Sequence, residues 1–178
     1  SAAGGKKRPL AQANFVVGKR KATRPGGLSW SPDSKELAFV RWKGEKADIY
    51  IVSLDTGKIR PFTTDGKEDK FPSWSPDGKW ISYSSRRGIW FGDANRVWRQ
   101  LVDGGEEVLI DERVGLRPPI HSPDGKWLAY EGRLQDGKSG FVAARVDKQG
   151  KLVGEPILLK EAKLNVGAKL LTWTSDGK

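Results

Sequence analysis

The stretch FPSWSPDGKWISYSS, residues 71–85, decides the fold of this chain. Two short hydrophobic runs flank the tripeptide Pro76-Asp77-Gly78. Proline presets φ for a turn, aspartate hydrogen-bonds its own backbone, and glycine adopts a left-handed conformation without penalty. After the turn, apolar and small residues alternate, as in a strand. The stretch therefore predicts a β-hairpin whose first strand is Ser73-Trp74-Ser75.

The hairpin sequence recurs along the chain. Its hydroxyl residues Ser31, Ser75, Ser122 and Thr174 are 44, 47 and 52 residues apart, a period typical of propellers or solenoids. The four copies are LSWSPDSKELAFV (28–40), PSWSPDGKWISYS (72–84), PIHSPDGKWLAYE (119–131) and LTWTSDGK (171–178). Because Asp33, Asp77 and Asp124 occupy the same turn position, we interpret them as structural turn residues.

Each copy places bulky residues on one face of its second strand and small ones on the other. Leu37, Ile81 and Leu128 are equivalent, as are Phe39, Tyr83 and Tyr130, and the small residues between them are Ala38, Ser82 and Ala129. A second hairpin follows in each copy, turning at Asp55, Asp103 and Asp147. Four antiparallel strands in about 45 residues are the signature of a propeller blade. The predicted blades cover about 28–70, 71–117 and 118–167, and a fourth starts at 168–178.

This pattern resembles the TolB-type β-propeller repeat, in which W-S-P-D-G-K precedes a short alternating strand. The resemblance covers residues 28–178, although His121 replaces the Trp of the third copy and Ser34 replaces the turn Gly of the first. The family includes periplasmic proteins that support the outer membrane through protein partners, and propeller domains of prolyl-oligopeptidase-type peptidases. The resemblance therefore implies an all-β propeller that acts as a scaffold, without implying a reaction.

Three functions follow as alternatives. The first is a non-catalytic interaction module that docks protein partners in the cell envelope; we expect a periplasmic or extracellular location, with a cytoplasmic one as the alternative. The second is the propeller domain of a larger hydrolase, a peptidase or a glycan-active enzyme, which gates or orients substrate. The third is a polyanion-binding module. No catalytic motif, cofactor fingerprint or membrane-spanning run occurs in the sequence, which favours the first for this chain.

Three complete blades are fewer than the four to eight that usually close a propeller. We therefore expect an excerpt of a larger propeller, completed by the parent chain or by another chain. The only spare strand is in NFVVGKR (14–20), at the position of a preceding blade's outermost strand.

The net charge of +10 is concentrated in an N-terminal arm, residues 1–27, which has seven basic and no acidic side chains. One interpretation is that residues 6–24 contact nucleic acid, lipid head groups or another anionic partner. The alternative, which we favour, is a solvated tail.

Few residues of the sequence are candidates for catalysis or metal binding. The absence of cysteine excludes disulfides, thiolate catalysis and Cys-bound metal centres, and it does not decide the compartment. The single histidine, His121, is either a base or ligand near the propeller axis or a ring standing in for Trp, and its isolation favours the second. The acidic segment DGKEDK (65–70) lacks calcium-loop spacing. We predict no catalytic residue, metal or cofactor.

The best candidates for binding lie in the irregular loops, because Arg and Trp are enriched at binding hot spots. These loops join strands two and three of each blade, and each blade to the next. The predicted binding residues are Arg41, Trp42, Arg86, Arg87, Trp90, Arg113 and Arg117, together with His121. The alternative interpretation of the loop residues is ordinary loop cover, with Trp90 packed under a long hairpin.

Overall fold

The structure is a computed structural model, and it describes residues 27–44, 46–86, 95–114, 119–134, 136–149 and 151–161. The described residues contain strands and turns, with no helix and hence no helical segment able to cross a membrane. The twelve strands are β1 (Leu28–Trp30), β2 (Glu36–Lys43), β3 (Lys46–Ser53), β4 (Ile59–Pro61), β5 (Asp69–Trp74), β6 (Trp80–Ser85), β7 (Asn95–Leu101), β8 (Val108–Val114), β9 (Ile120–His121), β10 (Trp127–Arg133), β11 (Ser139–Arg145) and β12 (Ile157–Glu161).

The strands form three four-stranded antiparallel units, which we call blades one to three. Blade one pairs in the order β1-β2-β3-β4, and β5 to β8 and β9 to β12 repeat that pattern. A single residue pair, Gly132 with Val114, joins blades two and three into one sheet. The prediction of an all-β fold built from four-stranded units is confirmed.

In each blade, a serine hydroxyl closes the hairpin between the first and second strands. Ser75 Oγ donates to Asp77 Oδ1 over 2.5 Å and accepts the N–H of Trp80 over 3.0 Å. Asp77 Oδ1 also accepts the N–H of Lys79, and Gly78 has φ +72°. The same bonds form at Ser31 and Asp33 and at Ser122 and Asp124. This confirms the three aspartates as turn residues.

The first strand of blade two is longer than its sequence predicts. It runs from Asp69 to Trp74, not from Ser73 to Ser75, and its pairing shifts between Lys70 and Ser73. At this irregularity Phe71 has φ +58°, which is uncommon for a residue other than glycine. The prediction missed this segment because the residues before Ser73 do not alternate.

Blades two and three each pack the bulky residues of their second strand against the preceding blade, on the face that carries the small residues of that blade's second strand. The core between blades one and two joins Trp74, Ile81 and Tyr83 of blade two to Ala38 and Ile49 of blade one. Between blades two and three, Leu128 and Tyr130 pack toward Val97, and Tyr130 Oη donates to buried Asp111. The predicted alternation of bulky and small residues therefore sets the direction of stacking.

His121 replaces Trp at one junction and keeps its position. It pairs in register with Leu128, as Trp74 pairs with Ile81, and its Nε2 lies 3.0 Å from Ser82 Oγ of blade two. Ser82 is the equivalent of Ala38. A hydrogen-bonded His–Ser pair thus occupies the place of an apolar Trp–Ala contact.

The pKa of His121 is lowered to about 3, first by burial and second by the cationic side chain of Arg99, with Asp77 opposing them. Arg99 is itself 3% exposed and lies over the Trp80 ring, 4.5 Å from its centroid. His121 is therefore neutral at physiological pH, which suits a packed junction.

Within the described part of the chain, no strand of blade one pairs with a strand of blade three. The basic arm, the strand predicted within 14–20 and the fourth blade predicted at 168–178 lie outside the described residues.

We predict that Trp74→Ala destabilises the protein by about 3–5 kcal/mol, because the ring is 8% exposed in the core between blades one and two. Trp30 is a matched control, since it holds the same repeat position but is 54% exposed. Trp30→Ala should cost less than about 1 kcal/mol. Urea unfolding measures both, and equal losses would contradict the packing described above.

We also predict a pH-dependent loss of stability that depends on His121. Unfolded His121 binds a proton near pH 6.5 and the folded residue near pH 3, so stability falls as the pH drops through this interval. Between pH 7.5 and pH 5.0 the loss should be roughly 2 kcal/mol. Since the chain has one histidine, His121→Gln should remove most of this loss. Urea unfolding at the two pH values tests it, and identical pH dependence in parent and variant would refute the assignment.

Candidate functional site

The blades present two different sides, and backbone hydrogen bonds define the first. In every blade, the residue after the third strand donates its N–H to the carbonyl of the turn lysine. These pairs are Leu54 with Lys35, Val102 with Lys79, and Val146 with Lys126. We call the side holding these turns the turn side. The opposite side, with the β2–β3 and β4–β5 connections and their equivalents, is the loop side.

On the loop side, four residues form a continuous contact across blades one and two. The Lys70 ammonium lies 5.6 Å from the centroid of the Trp42 ring, a cation–π contact. Lys70 Nζ also donates to Glu68 over 2.5 Å, and Arg86 Nη1 donates to the other Glu68 oxygen over 2.9 Å. Trp42 of β2 is thereby linked to Arg86 at the end of β6. We call Trp42, Lys70, Glu68 and Arg86 the loop-side cluster.

Glu68 is the centre of this cluster. Burial acts to raise the pKa of Glu68, but the hydrogen bonds from Lys70 and Arg86 outweigh it, so the pKa lies below its ordinary value. The carboxylate therefore stays charged at neutral pH and holds both cations. Because Lys70 is fixed, the 38% exposed Trp42 ring is held in place while part of it faces solvent.

Of the predicted binding residues, the structure brings Trp42 and Arg86 together. Arg41 lies over the Tyr50 ring of its own blade, 5.5 Å from the centroid, and His121 lies at the junction of blades two and three. Arg113 is in β8, but its side chain, like Arg87, Trp90 and Arg117, lies outside the described residues. Binding by any of these residues stays a prediction.

Sequence reasoning missed Glu68 and Lys70. Both belong to the segment 65–70, which the sequence marks only as acidic. The spacing of Glu68 and Lys70 could have indicated their ion pair, because residues separated by one position lie on the same face of a strand. That Lys70 meets Trp42 follows only from the stacking of the two blades.

Three carboxylates lie beside the cluster. Those of Asp48, Asp65 and Asp69 each place an oxygen within 4.8 Å of the others, which is the kind of oxygen set that a hard divalent cation prefers. The pKa of Asp48 is raised, first by burial and then by the charge of Asp65. Lys46 reduces this repulsion, since its ammonium lies close to Gly66 and attracts Asp48.

Residues 12–158 match the model of the TolB beta propeller domain. An uncharacterized protein of Agrobacterium fabrum is 33% identical over 87 residues, 48% of this chain and 28% of that protein. The uncharacterized peptidase YuxL of Bacillus subtilis is 37% identical over 68 residues, 38% of this chain and 10% of the peptidase. The Tol-Pal system protein TolB of Francisella tularensis subsp. mediasiatica is 30% identical over 70 residues, 39% of this chain and 16% of that protein.

Solved structures agree with the fold. TolB from Acinetobacter baumannii superposes with a TM-score of 0.58 at 21% identity, over 71% of this chain and 30% of that one. A putative TolB from Agrobacterium tumefaciens superposes with a TM-score of 0.57 at 26% identity, over 73% of this chain and 48% of that one. The matches thus span less than half the length of each of these proteins. Since the family model matches most of the chain, the protein belongs to the TolB beta propeller domain family.

Proposed function

We propose that this chain is a non-catalytic propeller module that docks a protein partner in the cell envelope through its loop side. The observation that carries the proposal is the loop-side cluster, where an exposed Trp is fixed by a cation that is itself held by a partly buried carboxylate. Binding costs less conformational entropy when an aromatic anchor is already held in one orientation. Trp and Arg are also the side chains that most often dominate binding energies.

The envelope location rests on similarity. One relative is named as a protein of the Tol-Pal system. The repeat of this chain is similar to the TolB-type repeat, and the family with that repeat includes periplasmic proteins that act through protein partners. A periplasmic or extracellular location is therefore part of the proposal.

A second candidate function is the propeller domain of a larger hydrolase. The observation that favours it is the match to a protein named as a peptidase, over 68 residues. In that case the loop side or the turn side would face a catalytic domain of the same polypeptide, and its partner would be intramolecular.

A photo-crosslinking experiment distinguishes these functions. The photoreactive residue p-benzoylphenylalanine replaces Trp42 on the loop side, or Ile59 at the start of β4 near the turn side. The two positions are matched in exposure, at 38% and 37%. The full-length protein is irradiated in the cells that produce it, and adducts are identified by mass spectrometry.

We predict that position 42 yields an intermolecular adduct of one discrete mass and that position 59 does not. With the partner identified, Trp42→Ala should weaken its binding by about 2 kcal/mol, as at a binding hot spot. Crosslinks only within the same polypeptide would favour the hydrolase function instead. Equal adduct yields at both positions, or none at position 42, would refute docking through the loop side.

A further inference from the structure

Three aspartates from two blades meet on the loop side, next to the loop-side cluster. Asp48 lies near the start of β3, Asp65 lies in the connection between β4 and β5, and Asp69 is the first residue of β5. Each offers a carboxylate oxygen, and the three oxygens lie within 4.8 Å of one another. Blades one and two thus both contribute to one group of oxygen atoms, and we call these three residues the aspartate set.

The spacing of these oxygens suits a single calcium ion. Ca²⁺ is coordinated by six to eight oxygens at roughly 2.3–2.6 Å, so two oxygens on the same ion are at most about 5 Å apart. Mg²⁺ binds oxygens at about 2.1 Å and requires nearly ideal octahedral geometry, which limits that separation to about 4.2 Å. The aspartate set combines a strand with a connection and differs in depth, which favours the more flexible coordination of Ca²⁺.

A buried serine faces the aspartate set and provides independent evidence for a ligand. Ser85 is the last residue of β6 and is 0% exposed, and its Oγ has no hydrogen-bond partner among the described residues. Ser85 pairs in register with Asp69, so the two side chains lie on the same face of the sheet with Cβ atoms about 5 Å apart. A buried hydroxyl without a partner costs free energy. A cation held by Asp69 would give this oxygen a partner.

Asp48 has the same feature on the blade-one side of the set. Its Oδ1 atom is buried and has no hydrogen-bond partner in the part of the chain that the structure describes, although the residue as a whole is partly exposed. Burial and then the charge of Asp65 raise the pKa of Asp48. The two carboxylates therefore repel each other, and a divalent cation between them would replace this repulsion by attraction.

Two lysines reduce the negative charge of the set without neutralising it. Lys46 and Lys43 attract Asp48, and the Lys46 ammonium lies close to Gly66. No ion pair, however, joins either lysine to a described carboxylate. Lys46 is exposed, so its long side chain can turn toward solvent and leave the carboxylates to a cation.

We infer that the aspartate set, together with the Ser85 hydroxyl, binds a calcium ion. This inference does not depend on the proposed function, because binding of the ion is a property of the chain alone. The ion would join the start of β3 in blade one to the start of β5 in blade two. Since Glu68 and Lys70 flank Asp69 in the sequence, the ion would also fix the segment that holds the Trp42 ring.

The affinity should be modest, because water must complete the coordination around these few side chains. Calcium sites of extracellular modules have dissociation constants of about 10⁻⁴ to 10⁻³ M, and we expect a value of this order. The spacing within 65–70 alone does not predict the site. Asp48 comes from β3 and Ser85 from β6, so the ligands meet only after the two blades have stacked.

The test is isothermal titration calorimetry of the full chain with CaCl₂, in about 0.15 M salt to screen weak surface attraction. Divalent ions are first removed with a chelator. Asp65→Asn removes a charged ligand at an exposed position, and its amide oxygen can still accept the N–H of Lys67, as the carboxylate does. The matched control is Asp55→Asn, at an exposed aspartate in the turn after β3. Both exchanges change the net charge equally.

We expect Asp65→Asn to weaken Ca²⁺ binding at least about tenfold and Asp55→Asn to change it less than about twofold. Calcium should also raise the melting temperature of the parent chain and not that of Asp65→Asn. Lack of Ca²⁺ binding to the parent chain at millimolar concentration, or equal weakening by the two exchanges, would overturn the inference. Tighter binding of Mg²⁺ than of Ca²⁺ would overturn the assignment of the ion as calcium.

Lysine exchanges provide a second test that removes no ligand. Lys46→Gln takes away an ammonium that attracts Asp48, so Ca²⁺ should bind about threefold more tightly. Lys58→Gln removes the same charge at an exposed position near Asp55 and should leave the affinity unchanged. Equal affinities of the two lysine variants, or weaker binding by Lys46→Gln than by the parent chain, would contradict the aspartate set as the site.

Discussion

The serine hydroxyl of the first hairpin is the interaction on which the structure depends. At Ser75 one hydroxyl both donates to Asp77 and accepts the N–H of Trp80, so the turn and the first residue of β6 are fixed together. This fixes the register of the two strands, and a slip of one residue would exchange their faces. Since blades stack bulky face on small face, the register decides whether Ile81 and Tyr83 reach the neighbouring blade at all.

The turns also align the blades with each other. The Pro32 ring of blade one lies against Gly78 of blade two, and the Pro76 ring lies against Gly125 of blade three. Proline and glycine of the same motif thus meet across successive blades, where a larger residue at the glycine would also be strained by its positive φ. The repeated motif therefore has two roles, since it closes the hairpin of its own blade and contacts the equivalent turn of the next blade.

The sequence was sufficient for the parts of the fold that repeat. Turn positions, the pairing of Trp74 with Ile81, and the small residues at Ala38 and Ser82 follow from one motif and the period of a strand. The positive φ of Phe71 did not follow, since it arises where the chain enters blade two close to Gly27. The loop-side cluster was half predicted: Trp42 and Arg86 stand out by residue type, but Glu68 connects them only once two blades are stacked. Contacts between repeats depend on the relative placement of rigid sheets, about which a single strand pattern carries no information.

The bulky face of blade one has a consequence for symmetry. Trp30 and Leu28 lie on it and are 54% and 68% exposed, whereas Trp74, the equivalent of Trp30 in blade two, is buried in a core with Ala38 and Ile49 of the preceding sheet. The contact between blades is heterologous, since one surface meets a different one, and so it cannot be satisfied by two identical faces related by a two-fold axis. A sheet that covers Trp30 in the same way must offer a face like that of Ala38. Such head-to-tail contacts generate either a ring or an open filament, and the rotation from one blade to the next determines which of the two forms.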